Sequence, residues 1–395
     1  MRKVVEGSAA IAEAVKLCRA QVIAAYPITP QTHIVQELSE MVANGELAAE
    51  YVRVESEHSA ASACLGASAV GARAYTASSS QGIMLMAEVL FNIAGLRLPM
   101  VLTCANRALS SPINIWNDQQ DSYSVRDAGW IQLHAEDNQE AMDLHIQAYR
   151  IGEDSRVHLP VMVCMDGFVL THSYEPVDIP DQDLVDRFLP PYRPARKLDP
   201  ADPKTFGMYA EEGYTETRFA IQHAMQRAKG VIEEVAAEFE RTFGRSSGGL
   251  LQTYRLEDAE MVLMGTGSIL GLLKSVVDEL RAEGRKVGAI KLVSYRPFPS
   301  EALAKALSGV RKVAVFERAV SLGGVGIIAA DLRSALHRVD GAPEVSSFVV
   351  GLGGKDMTSQ TIRGAVEMAS AGYVDGHYME LDEEFLKDTV LSAES

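Results

Sequence analysis

Between residues 8 and 170, six short apolar runs alternate with longer stretches built from small residues. The runs are QVIAAY (21–26), YVRVES (51–56), ARAYTA (72–77), PMVLTCA (99–105), IQLHA (131–135) and PVMVCMD (160–166). Between them lie segments such as QTHIVQELSEMVANG and GIMLMAEVLFNIAGL, which read as helices. Parallel strands need a crossover of this length, so the alternation predicts an α/β domain, doubly wound around a mainly parallel sheet. The strands are apolar on both faces, as burial between two helix layers requires. The opening MRKVVEGSAAIAEAVKLCRA breaks at Glu6 and Gly7 instead of forming a signal-peptide core. It reads as the first helix of the fold, with a cytoplasmic location expected.

The texture changes near Tyr174. Residues 174–207 are rich in proline and charge, which excludes regular helix or central strand and predicts an extended arm across the domain or onto a neighbour. A long amphipathic helix, about Tyr214 to Phe243, follows and ends at Gly244 with a Ser-Ser-Gly-Gly linker at 246–249. A second doubly wound unit is expected over 250–395, after a first spanning 1–245. Its strands are AEMVLMGTGS (259–268), VGAIKLVSY (287–295), KVAVFER (312–318) and VSSFVVGLGG (345–354). The G-T-G-S turn lacks a third glycine and an acidic residue ~20 positions on, so it reads as a tight strand-to-helix turn rather than a nucleotide site.

With 53 acidic against 37 basic residues the formal charge is −16, which argues against nucleic acid or an anionic membrane surface as partner. No apolar run approaches the ~18 residues of a membrane span. The four cysteines, Cys18, Cys64, Cys104 and Cys164, are too far apart for the closely spaced pairs that hold iron–sulfur clusters or zinc. They read as buried free thiols.

Three loops sit where strands end, the edge at which open α/β sheets bind ligands. In Y-P-I-T-P (26–30) two prolines fix the backbone around Thr29. In V-E-S-E-H-S (54–59) Glu57 is a candidate buried carboxylate, suited to hold or share a proton. In N-R-A-L-S-S-P-I-N-I-W-N-D-Q-Q-D-S (106–122) Arg107 offers a planar fork for a carboxylate, and Asn114 lies in the same loop. The turn T-A-S-S-S-Q-G (76–82) is expected to expose amides around Ser80, Gln81 and Gly82 to an anion or a polar ring substituent.

These segments, with LPVMVCMDGFVLTH, YRPFP and GLGGKD, run through nearly the whole chain in order, and it resembles the α chain of pyruvate:ferredoxin oxidoreductases, within the 2-oxoacid:ferredoxin oxidoreductase family. The resemblance implies a pyrimidine-type domain of a thiamine diphosphate enzyme followed by a transketolase C-terminal-type domain, the latter mainly architectural. It implies that Glu57 hydrogen-bonds N1′ of the aminopyrimidine and promotes the imino tautomer that removes the C2 proton. Thr29 and Arg107 would bind the carboxylate and carbonyl oxygen of the 2-oxoacid, with Asn114 beside them. Ser80, Gln81 and Gly82 would border the cofactor.

The implied reaction is attack of the thiamine ylide on a 2-oxoacid, loss of CO₂, one-electron oxidations to ferredoxin and acyl transfer to coenzyme A; reversed, it makes pyruvate. Thiamine diphosphate also needs a G-D-G…N element for Mg²⁺ and the diphosphate, and these 395 residues contain no G-D-G. The other half-site is therefore expected on a β subunit, which by resemblance also brings a [4Fe-4S] cluster. A γ subunit, a ferredoxin-like δ subunit and a second copy of the protomer complete the expected complex. Gln119 stands where typical relatives carry histidine, and an amide cannot titrate as imidazole does. The alternative substrates are phenylglyoxylate, 2-oxoisovalerate and oxalate, the last disfavoured by the neutral Thr29. A non-catalytic scaffold is disfavoured by Thr29, Glu57 and Arg107 occurring together.

Overall fold

A computed structural model describes residues 1–194, 196–203 and 213–387. The first half contains strands β1 (Arg2–Glu6), β2 (Val22–Ala25), β3 (Glu50–Arg53), β4 (Ala74–Ser78), β5 (Val101–Asn106), β6 (Ile131–His134), β7 (Val161–Asp166) and β8 (Tyr174–Asp178). The second contains β9 (Leu251–Tyr254), β10 (Met261–Gly265), β11 (Val287–Leu292), β12 (Ser294–Arg296), β13 (Lys312–Glu317), β14 (Glu344–Val349) and β15 (His377–Tyr378). One seven-stranded sheet runs β12-β6-β7-β5-β4-β2-β3, and a six-stranded sheet runs β15-β14-β13-β10-β11-β9. Both are parallel except at one edge, where β12 and β9 pair antiparallel.

Alternation along the strands divides each sheet between two cores. In β7, Val161, Val163 and Met165 pack with helices 7–17, 138–152 and 214–243, while Met162 and Cys164 face helices 57–69 and 87–95. In the second sheet Val313 and Val315 face one helix layer, and Ala314 and Phe316 the other. The expected doubly wound α/β architecture is therefore present in both sheets. All four cysteines are buried free thiols.

Several expectations need correction. The chain opens with β1, which pairs antiparallel with β8, and the first helix starts only at Gly7. The 174–207 segment is not wholly irregular: it supplies β8 and a helix at Gln182–Phe188, because its prolines fall at the edge of a two-stranded ribbon and outside that helix. Phe188 anchors the helix against Phe239 and Phe243, with ring centroids 5.5 and 5.4 Å away. Beyond it the arm lies on its own half, where Arg73 donates to the carbonyl of Pro190 and the amide of Leu198 to that of Ala69. Residues 195 and 204–207 of the expected arm, and 388–395 of the second unit, lie outside the described residues.

The 287–295 run is two strands. After Leu292 the chain leaves the second sheet, and Ser294–Arg296 joins the first against β6, so a segment beyond residue 250 completes the first sheet. The 345–354 run stops being strand at Val349. The 82–96 stretch is two helices meeting at Met86.

The two halves are also joined by buried charge. Lys291 on β11 reaches Glu140 (2.7 Å) and Glu136 (3.0 Å), and Arg318 after β13 reaches Asp166 at the end of β7 (2.7 Å). Each such pair would be costly to break singly, because removing one partner leaves the other charge buried and unpaired. Among the described residues no helix is long and apolar enough to cross a membrane.

Candidate active site

Because β2, β3, β4, β5 and β7 are parallel, the segments after them emerge on one edge of the sheet. These segments carry the Y-P-I-T-P loop, Glu57, the 78–82 turn, Arg107 and Gly167.

The Y-P-I-T-P loop is held by Gln31, a residue that sequence pattern does not single out. Gln31 is fully buried, donates to the carbonyl of Ala77 at the end of β4 (2.6 Å) and accepts from the amide of Ile28 (3.3 Å). The Thr29–Pro30 peptide is cis and Thr29 is exposed. Pro30 packs on Gly167, where a Cβ would come within 2.7 Å of the proline ring.

Arg107 is 7% exposed. Its Nη1 donates to the carbonyl of Thr29 (3.0 Å) and its Nε to that of Asn114 (3.1 Å). Among the described residues its guanidinium forms no ion pair. Burial holds its pKa below the ordinary arginine value, partly offset by the Asp121 charge. The result is a nearly buried cation whose fork is fixed by neutral carbonyls and, among the described residues, contacts no carboxylate directly, a device suited to an incoming carboxylate. Thr29, Arg107 and Asn114 are thus brought together.

Asp121 organises this edge, although sequence reasoning does not pick it as a site residue. Its Oδ2 accepts from the amides of Ser80 (2.9 Å) and Arg107 (3.0 Å), and its Oδ1 from Asn106 Nδ2 and the amide of Ser122 (both 2.7 Å). Burial pushes its carboxyl up to about 6 against these four donors. The available signal is the run of polar residues N-D-Q-Q-D-S, too polar for an exposed turn alone. Asp118, in the same run, is raised to about 7, first by burial.

Two of the three amides expected to be exposed at 80–82 are already engaged. The Ser80 amide is spent on Asp121 and that of Gly82 on the carbonyl of Ser79 (2.9 Å). Ser80 sits at φ +49, a left-handed conformation imposed by this turn, and its hydroxyl donates to the carbonyl of Ala108.

Glu57 starts helix 57–69, behind an N-cap in which Ser56 Oγ accepts from the Ser59 amide (3.2 Å). It is 7% exposed, and among the described residues its carboxyl has no hydrogen-bond or ion-pair partner. Gly82 lies against it: a Cβ there would come within 2.7 Å of Glu57 Oε1. Ser78 Oγ and Gln81 Nε2 in the same turn are buried without partners. Glu57 connects to the Arg107 group through this turn, by way of Asp121 and of the Ser80 hydroxyl on the Ala108 carbonyl.

Gln119 is buried and fully engaged by its neighbours. It is 1% exposed, and its amide donates to Asp166 (3.0 Å) and accepts from Thr266 Oγ1 (2.8 Å) and Tyr123 (3.2 Å). The G-T-G-S turn meets it there, and the Ser268 amide is spent on Asp166 (2.7 Å).

A buried carboxylate beside orphan polar groups and a cationic fork thus lie above one edge of the same parallel sheet. Residues 13–237 match the family described as pyruvate flavodoxin/ferredoxin oxidoreductase, thiamine diphosphate-binding, and residues 259–362 match pyruvate:ferredoxin oxidoreductase core domain II. The chain belongs to this family. It is 50% identical to pyruvate synthase subunit PorA of Methanosarcina barkeri over 97% of both chains, and 49% identical to that of Pyrococcus furiosus over 95% of both. Ketoisovalerate oxidoreductase subunit VorA of Pyrococcus horikoshii is 45% identical over 93% of both. A 2-oxoglutarate:ferredoxin oxidoreductase structure from Magnetococcus marinus shares the fold, with a TM-score of 0.71 at 19% identity, over 93% of this chain and 65% of that one.

Proposed function

We propose that this chain is the α subunit of a heteromeric pyruvate:ferredoxin oxidoreductase and forms the wall of the active site that carries Glu57 and Arg107. Residues 1–245 would serve as the pyrimidine-type domain, and 250–395 as the transketolase C-terminal-like domain. The observation that carries the reading is the Arg107 fork, nearly buried, in no ion pair among the described residues and tied to Thr29 and Asn114. The near-complete coverage by PorA relatives supports pyruvate.

The residues present fit the aminopyrimidine half of thiamine diphosphate: Gly82 leaves the Glu57 carboxyl room, and Ser78 Oγ and Gln81 Nε2 await partners. Bound thiamine diphosphate supplies a nucleophilic carbon for the 2-oxoacid carbonyl and a sink for the electrons left when CO₂ departs. Glu57 would hold the proton at N1′ of the ring, Arg107 would grip the substrate carboxylate, and the Thr29 hydroxyl would orient the carbonyl. Since the chain has no G-D-G, we assign the diphosphate, Mg²⁺ and a [4Fe-4S] cluster to a β subunit, with γ and ferredoxin-like δ subunits and a second protomer completing the assembly. Coenzyme A would be the acyl acceptor.

The VorA relative supports one second reading, the same chemistry on 2-oxoisovalerate. Turnover of the purified complex with pyruvate, 2-oxoisovalerate, 2-oxoglutarate and phenylglyoxylate, followed by ferredoxin reduction with coenzyme A present, decides between them. Pyruvate is expected to give the highest kcat/KM, and preference for the branched acid would reverse the assignment.

A further inference from the structure

By resemblance the second half of the chain is mainly architectural, yet one of its turns reaches the Arg107 loop. After β14 the chain passes through Gly351, Leu352, Gly353 and Gly354. The carbonyl of Gly353 accepts from Asn114 Nδ2 (3.0 Å), and the amide of Gly354 donates to the carbonyl of Asn117 (2.8 Å). Asn114 then uses its own carbonyl to accept from Arg107 Nε (3.1 Å), and its Oδ1 to accept from the amide of Trp116 (2.7 Å). A single residue therefore stands between this turn and the guanidinium.

Glycine is needed twice here. Gly353 and Gly354 have φ of +58 and +77, in the left-handed region. A Cβ on Gly353 would lie 2.4 Å from Asn114 Nδ2, and one on Gly354 2.5 Å from Trp116 Cβ. Only bare backbone can approach the loop this closely.

We infer that the 351–354 turn is a positioning element of the 2-oxoacid site, which holds the 108–118 loop and, through Asn114, aims the Arg107 fork. This rests on the reading of Arg107 as the carboxylate clamp. The turn acts on substrate binding and not on the cofactor, because its contacts lead to Arg107 and not to the Glu57 cleft.

The test compares variants of the purified complex. Gly353→Ala is expected to raise KM for pyruvate about fivefold to tenfold, the scale of one lost hydrogen bond, with kcat within about twofold and thiamine diphosphate affinity unchanged. Asn114→Ala breaks the same hydrogen bond from the other side and should raise KM similarly. The double variant should be no worse than Asn114→Ala alone, since that substitution already removes the Gly353 hydrogen bond. Gly341→Ala is the control: its φ is +69 and a Cβ there would meet no atom within 4 Å, so it carries the backbone penalty without touching the loop and should leave KM alone. Arg107→Ala separates the two ideas. If it leaves KM and kcat/KM intact, the clamp reading falls and this inference with it. If it raises KM while Gly353→Ala and Asn114→Ala do not, this inference alone is overturned. Should Gly353→Ala fail to assemble, Asn114→Ala decides by the same criterion.

Discussion

Replacing Arg107 by alanine removes the one cation that the site presents without a carboxylate partner among the described residues. The side chain is 7% exposed, and its two carbonyl contacts, at 3.0 and 3.1 Å, hold the fork in place before substrate arrives. A preorganised, nearly dry guanidinium makes a charge-assisted contact worth ~2–4 kcal/mol to a bound carboxylate, or about 30-fold to 1000-fold in kcat/KM. The loss also unties the Thr29 and Asn114 carbonyls, so the upper end of that range is expected. Arg107→Lys should recover only part, because an ammonium cannot donate to both carbonyls and the substrate in one plane. Arg97 is the control cation. It precedes β5, at the opposite edge of the sheet, and donates to the carbonyls of Val157 and His158. Steady-state kinetics of ferredoxin reduction across a range of pyruvate concentrations reads the effect. If Arg107→Ala kept kcat/KM within twofold while Arg97→Ala collapsed it, the clamp would have been placed at the wrong edge.

Glu57→Gln is nearly isosteric and leaves the Ser56 cap intact, so folding and assembly should persist, while hydrogen exchange at C2 of the bound cofactor should slow by ~10²-fold or more; an unchanged exchange rate would remove Glu57 from its role. Asp118 bears on stability. Burial raises its carboxyl to about 7, so between about pH 4 and 7 the folded state binds the extra proton and stability falls as pH rises through that window. Asp118→Asn should flatten that decline, by no more than about 4 kcal/mol for a shift of this size. Denaturant midpoints at pH 5 and pH 8 measure it, and parallel slopes for variant and parent would contradict the assignment.

Much of this protein is legible in one dimension. Strand–helix alternation and apolar runs dictate two parallel sheets clothed on both faces, since only burial between helix layers suits strands without a polar side. The segments after those strands mark the ligand edge, because parallel pairing sends them all to one side. Thr29, Arg107 and Asn114 can be picked as candidates from their loops for that reason. What local pattern cannot convey is which groups are already satisfied. The Ser80 amide looks available until folding brings Asp121, 41 residues away in sequence, against it. Gln119 looks like an altered active-site residue until Thr266 and Asp166 close around it. The short strand Ser294–Arg296 changes sheets because its partner, β6, lies far earlier in the chain, at Ile131–His134. The reach of Gly353 to Asn114, 239 residues apart, likewise exists only once the two halves dock. Periodicity and turn chemistry are properties of neighbours in sequence, whereas hydrogen-bond satisfaction and burial of charge depend on neighbours in space, and only the folded chain decides those.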